Sequence, residues 1–158
     1  MERLVMLSRP AKAKLHAAAG GIAMLTILAF QALLWRAAAS GSPEDILAAR
    51  GTILWGIGLV LIPALAGAGI SGAVLGRGWK RPEIAAKIRR MRVIAANGLL
   101  VLLPLAVALW WLASKGLVED RFFWLQRLEM LAGLVNLALL GMNMRAGLRL
   151  RAPRRMAA

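Results

Sequence analysis

The chain has 158 residues, 60% of them hydrophobic, a mean hydropathy of +0.68 and no cysteine. Soluble domains are about 45–50% apolar, so this composition points to an integral membrane protein, and the absence of thiols excludes disulfides and thiolate metal sites. The net charge is +14, but the basic residues gather at the ends of apolar runs, which suits lipid phosphates and orientation signals better than nucleic acid.

Four segments approach the roughly 20 apolar residues that a membrane-crossing helix needs: Leu15–Trp35, Thr52–Leu75, Val93–Leu112 and Phe122–Met144. The first ends in an Ala-rich stretch that resembles a cleavage site; because three similar runs follow, a retained first span is expected. Ser42-Pro43-Glu44-Asp45 supplies an N-cap serine, a proline at the first helical position and acids in the first turn, so the second helix is predicted to begin near Pro43, outside the membrane. Span two is rich in small residues, and Gly72-x-x-x-Gly76 is a close-packing motif, read here as packing within the bundle ahead of a dimer seam. Pro82 with Glu83 opens the third helix, Gly116 closes it, and Glu119-Asp120 caps the fourth. Pro63 and Pro104 fall near the middle of adjacent spans, where each is predicted to free a carbonyl and kink its helix.

Orientation follows from the basic residues. The stretch Arg77–Arg92, RGWKRPEIAAKIRRMR, carries seven Lys/Arg and one Glu between two apolar runs. With Arg3, Arg9, Lys12 and Lys14 before the first span and Arg145, Arg149, Arg151, Arg154 and Arg155 after the last, one side holds sixteen basic and two acidic residues; the other holds five of each. The positive-inside rule then places both termini and the 77–92 loop in the cytoplasm. Trp35, Trp110, Trp111 and Trp124 fall at the outer ends of spans and Trp79 at the inner interface, as an aromatic belt requires. The expected architecture is all-α: a four-helix transmembrane bundle of two hairpins, one integral domain over residues 1–158 with a basic tail from residue 145. Arg89, Arg90, Arg92, Arg149 and Arg151 are candidate contacts for anionic headgroups.

A weak internal repeat relates the two halves. Ala19-Gly20-Gly21, Trp35 and Glu44-Asp45 recur as Ala96-Asn97-Gly98, Trp110 and Glu119-Asp120. Duplication would make the hairpins parallel repeats about an axis along the membrane normal; shared Trp belts and acidic caps account for the same pattern without it.

The fourth span is the most polar. Gln126, Glu129, Gly133, Asn136, Leu140 and Asn143 recur at alternating spacings of three and four, which puts them on one helical face. Such a seam is costly against lipid and is expected to face the other helices. It is either interhelical packing, with Glu129 paired to Arg50, Arg36 or Gln31, or the lining of a proton or solute path. Span one offers a facing stripe of His16, Gly20, Met24, Ile27 and Gln31, which predicts an outer cluster (Gln31, Glu129, Arg50) and an inner one (His16, Asn97, Asn143). His16 is the only histidine. With Met91, Met142 or Met144 it is a candidate haem b or Cu(I) ligand; a bis-His haem would need two chains. No nucleophile elbow, P-loop or paired carboxylates occur, so the expectation is a non-enzymatic protein.

The segments RMRVIAANGLLVLLP and LEMLAGLVNLALLGMNMRAGLRL resemble small four-span bacterial inner-membrane proteins of uncharacterised function. Lys14-Leu15-His16 before the first span is similar to the wider group of CopD-like four-helix membrane proteins. The first resemblance implies a bacterial inner-membrane setting; the second implies a haem or copper role for His16, in a chain without the further histidines of such a site. Three readings stand: an accessory subunit or small homo-oligomer acting through helix packing, a small proton-coupled transporter using the polar seam and the two prolines, and a haem- or quinone-binding redox subunit.

Overall fold

The structure is a computed structural model that describes residues 8–77 and 82–151, the side chains of 150 and 151 apart. Trp79, Lys80 and Arg81 of the 77–92 stretch, Arg3, Arg154, Arg155 and the Arg151 side chain lie outside the described residues. No strand occurs among the described residues. Four long helices account for almost all of them: α1 Arg9–Ser40, α2 Pro43–Gly76, α3 Pro82–Ser114 and α4 Asp120–Arg151. Each is long and apolar enough to cross a membrane. Each contains its predicted span and extends beyond it, because the capping signals lie several residues outside the apolar runs.

The caps follow the sequence. Ser42 Oγ accepts from the Asp45 backbone N–H at 3.4 Å and donates to Glu44 Oε2 at 3.0 Å, ahead of Pro43 in the first turn of α2. At the end of α3, Gly116 takes φ +70°, the Leu117 N–H reaches Leu112 O at 3.0 Å and the Gly116 N–H reaches Ala113 O at 3.0 Å. This pair of bonds is the Schellman motif, and its left-handed residue suits glycine. Gly41, at φ +67°, ends α1 in the same conformation.

Neither interior proline breaks its helix. A π-turn precedes each, Ile57–Leu61 before Pro63 and Gly98–Leu102 before Pro104. Proline lacks an N–H and its ring crowds the carbonyl four residues back. The wider turn relieves that crowding: the Ile62 N–H bonds to Ile57 O, and the Leu103 N–H to Gly98 O. The predicted kinks therefore take the form of π-turns inside continuous helices. Neither turn contains a buried residue; Leu59 and Leu100 stand out from the bundle.

Each helix packs on two neighbours in cyclic order. The α1 helix lies along α2, most closely along Ile62–Gly76, and also on α4. Pro43–Gly56 of α2 meets Leu103–Ser114 of α3, and both halves of α3 meet α4. The sorting of side chains is opposite to that of a soluble domain. Leu25, Leu59, Leu100, Leu131, Trp55 and Trp124 are all exposed, while the interior holds Ala19, Ala23, Ala49, Ala64, Ala68, Ala106 and Ala113. Small residues let helix backbones approach where lipid removes the hydrophobic drive for association. At one end Ala37, Ile46, Ala49, Leu109, Ala113 and Phe122 join all four helices; further along, Ile27, Ile94 and Leu140 join three.

Gly116→Ala, which forces an L side chain into the left-handed region, is expected to cost about 1–2 kcal/mol. Thermal unfolding in detergent, followed by circular dichroism, measures it, and Gly51→Ala, at a helical glycine with open space around it, serves as the control.

Candidate functional site

The seam on α4 faces inward along its whole length. Gln126, Glu129, Asn136 and Asn143 are all buried. Proceeding down α4, each meets a different part of the bundle.

The contact nearest the start of α4 is an ion pair. Arg50 of α2 is 1% exposed and Glu129 5%. Arg50 Nη1 donates to Glu129 Oε2, and Nη2 donates to Gln126 Oε1 at 2.7 Å. One turn of α4 thus supplies both acceptors, three residues apart, to the two arms of one guanidinium. The Phe122 ring lies 5.3 Å from Arg50 Cζ, a cation–π contact one turn nearer the end of the bundle. Arg50 Nε is the one buried side-chain polar atom without a hydrogen-bond partner among the described residues. Of the partners anticipated for Glu129, the structure selects Arg50.

Gln31 lies beside this pair rather than in it. Its Nε2 donates to Met130 O at 2.8 Å, and a Cβ at Gly133 would come within 3.3 Å of its Oε1. Gly133 belongs to the seam because the Gln31 amide occupies the space beside it. At mid-helix, Asn97 Nδ2 of α3 donates to Asn136 Oδ1 and to Ala132 O, both at 2.9 Å, while Asn136 Nδ2 donates to Ile94 O at 3.3 Å. At the other end, Asn143 Oδ1 accepts from Arg90 Nη1 at 3.4 Å, and its Nδ2 donates to Lys87 O at 3.4 Å.

The predicted inner cluster of His16, Asn97 and Asn143 does not form. Asn97 and Asn143 are engaged with separate partners, and His16 is drawn to α2. Its Nδ1, facing a carbonyl oxygen 2.9 Å away at Ala68, carries the ring proton and donates; Ser71 Oγ lies 3.2 Å from the same nitrogen. Ser71 in turn donates to Gly67 O at 2.6 Å. The physical reason is the small-residue face of α2. Gly67 lies against Ala19, and Gly72 leaves space for the imidazole, so that a Cβ at Gly72 would stand 2.9 Å from His16 Cε1. Gly76 meets Ile84 of α3. Both glycines of the Gly-x-x-x-Gly motif therefore face neighbours within this chain.

The anticipated His/Met haem or Cu(I) site on His16 needs one of three methionines as its second ligand. Met142 and Met144 are exposed on α4, and Met91 packs against the cluster of Ile27, Ile94 and Leu140. No described hydrogen bond or apolar cluster joins His16 to any of the three, and no group of three His, Asp or Glu converges among the described residues. Of the candidate headgroup contacts, Arg89, Arg92 and Arg149 are exposed, whereas Arg90 is half-buried on Asn143. Phe122, four residues before Gln126, continues the seam's alternating spacing and was legible from it, whereas Ser71 and Lys87 act through neighbours on other helices and lie outside that pattern.

Comparison of the chain with protein-family profiles, curated proteins and solved structures finds no match.

Two outcomes follow from this geometry. Glu129→Ala leaves Arg50 buried and uncompensated and is expected to destabilise the bundle by about 3–5 kcal/mol, whereas Arg50→Met with Glu129→Leu is expected to recover most of that loss. Reversible unfolding in mixed micelles measures both. Gly72→Ala is expected to be destabilising in the wild-type chain and near neutral alongside His16→Ala, which a double-mutant cycle measures by the same unfolding assay.

Proposed function

We propose that this protein is a multi-pass, non-enzymatic protein of the bacterial inner membrane, built as two helical hairpins with both termini in the cytoplasm. On this reading it works through helix packing, as an accessory subunit of a membrane complex or as a small homo-oligomer. The observation that carries the reading is the pairing of the polar seam. Glu129, the only acid on α4 beyond its first turn, is tied to Arg50, and Gln126, Asn136 and Asn143 each have a partner. A proton or solute path needs a titrating group or a wet surface; here the polar groups of the seam close on protein. The two prolines favour the same reading, since their π-turns contain no buried residue, whereas the broken helices of transporters line a cavity. The exposed apolar faces and the five exposed tryptophans Trp35, Trp55, Trp110, Trp111 and Trp124 support a lipid environment.

Native mass spectrometry of the protein in lipid nanodiscs prepared from its host tests the role. A stoichiometric protein partner or a defined homo-oligomer is expected; a lone chain carrying only lipid contradicts it. Proton uptake by proteoliposomes that disappears in Glu129→Gln would instead establish the proton-coupled transporter, and a haem absorbance in the host-purified protein would establish the redox subunit. Orientation is tested separately, because the absence of native cysteine makes single-cysteine labelling clean. Ser42→Cys is expected to react with an impermeant maleimide added outside, and Arg149→Cys only after the inner face is opened. The reverse pattern contradicts the orientation.

A further inference from the structure

The basic residues at the 77–92 end of the bundle divide into two kinds. Arg89, Arg92, Arg145 and Arg149 are exposed and point away from the helix contacts. Lys87 and Arg90 lie on the other face of α3, half-buried against α4. Their positions are fixed by α4. Arg90 Nη1 donates to Asn143 Oδ1, and Asn143 holds the Lys87 carbonyl through its Nδ2. The Lys87 ammonium lies over Gly147, where a Cβ would come within 3.3 Å of Nζ. The absent side chain of Gly147 leaves a notch between the two helices with a cation at its edge.

No described carboxylate pairs with Lys87 or Arg90. Two like charges are thus held one turn apart, partly out of water, and they repel each other. That arrangement is unfavourable unless an anion enters. The surroundings indicate which anion. Ile88, Val93, Met144 and Leu148 are exposed apolar residues within about a turn of the notch, a surface for acyl chains beside a surface for a phosphate. The notch also lies just beyond the apolar run of α3 that starts at Val93, where the membrane reading places headgroup phosphates.

We propose that Lys87 and Arg90, above Gly147 and Asn143, form a binding site for the phosphate of an anionic glycerophospholipid. The site rests on the membrane reading given above and adds to it a specific lipid position between α3 and α4. Lys87 supplies a point charge, Arg90 supplies planar donors, and Asn143 keeps the guanidinium turned to the groove.

The test uses the full-length protein, delipidated in detergent and offered phosphatidylglycerol and phosphatidylcholine with matched acyl chains, with retained lipid counted by native mass spectrometry. One phosphatidylglycerol is expected to be retained in preference to phosphatidylcholine. Lys87→Gln with Arg90→Gln is expected to reduce that preference roughly 30-fold, the sum of about 1 kcal/mol for each basic residue near a membrane surface. Gly147→Leu keeps both charges, fills the notch and is also expected to abolish the preference. Arg89→Gln with Arg92→Gln, which removes two exposed headgroup contacts outside the notch, is expected to lower the preference by clearly less than the Lys87/Arg90 variant. Equal retention of the two lipids by the wild type, an unchanged preference in Gly147→Leu and the charge variant, or an equal loss in the Arg89/Arg92 variant overturns the site. Displacement of the lipid by an equal concentration of inorganic phosphate overturns it as a lipid site. Extraction of the protein from host membranes by alkaline carbonate overturns the membrane reading as well, whereas a protein that stays inserted but lacks the preference overturns the site alone.

Discussion

A buried charge inside a membrane bundle must be neutralised, and the pairing of Arg50 with Glu129 does this here. Neither residue is exposed, and each is the other's only ionic partner among the described contacts. Charged side chains are rare in spans because lipid cannot solvate them, so the pair fixes the rotation of α4 about its axis and its height relative to α2. Gln126 and Phe122 follow from that choice: one turn of α4 presents an amide oxygen to the second arm of the guanidinium and an aromatic ring to its central carbon. With α4 set, the remaining seam residues are carried to matched depths, Gly133 beside Gln31, Asn136 beside Asn97 and Asn143 beside Arg90. Interhelical hydrogen bonds in membranes contribute about 0.6 kcal/mol on average, so these act chiefly to specify alignment, while the ion pair carries the large penalty for error.

Packing between α1 and α2 is achieved by a different device. Their shared face contains Ala19, Ala64, Ala68, Gly67, Gly72 and Ser71, and close approach is possible because little projects between the backbones. The histidine occupies the gap at Gly72 and donates to a backbone carbonyl, so a polar ring is accommodated without an acidic partner. The prolines illustrate the same economy: a wider helical turn removes the clash and leaves the interior unchanged.

Much of this was legible in the sequence, for identifiable reasons. Apolar length gives the four helices, and Ser42-Pro43, Pro82, Gly116 and Glu119-Asp120 give their ends, because capping is local chemistry. The inward face of α4 was legible because a spacing of three and four survives any arrangement of neighbours. What periodicity does not encode is which helix receives a given side chain. His16 lies on the same stripe as Gln31, yet the two engage different helices, since the glycines of α2 draw the start of α1 aside. Lys87 and Arg90 share the face of Ile94 and Asn97 at spacings of three, four and three, which separates them from Arg89 and Arg92; what the spacing does not give is that this face meets α4 at Asn143. The π-turns depend on how the chain absorbs a proline, which the proline itself does not specify.

The account depends most on the Arg50–Glu129 contact existing in a lipid bilayer. Solid-state NMR on the isotopically labelled protein in liposomes measures it directly, through the dipolar coupling between the Arg50 guanidinium nitrogens and Glu129 Cδ. A strong short-range cross-peak between them, with no water-exchange cross-peak at the Glu129 carboxyl, is the predicted result. A Glu129 carboxyl that exchanges with water and shows no coupling to Arg50 would contradict the account and favour an open polar path along α4.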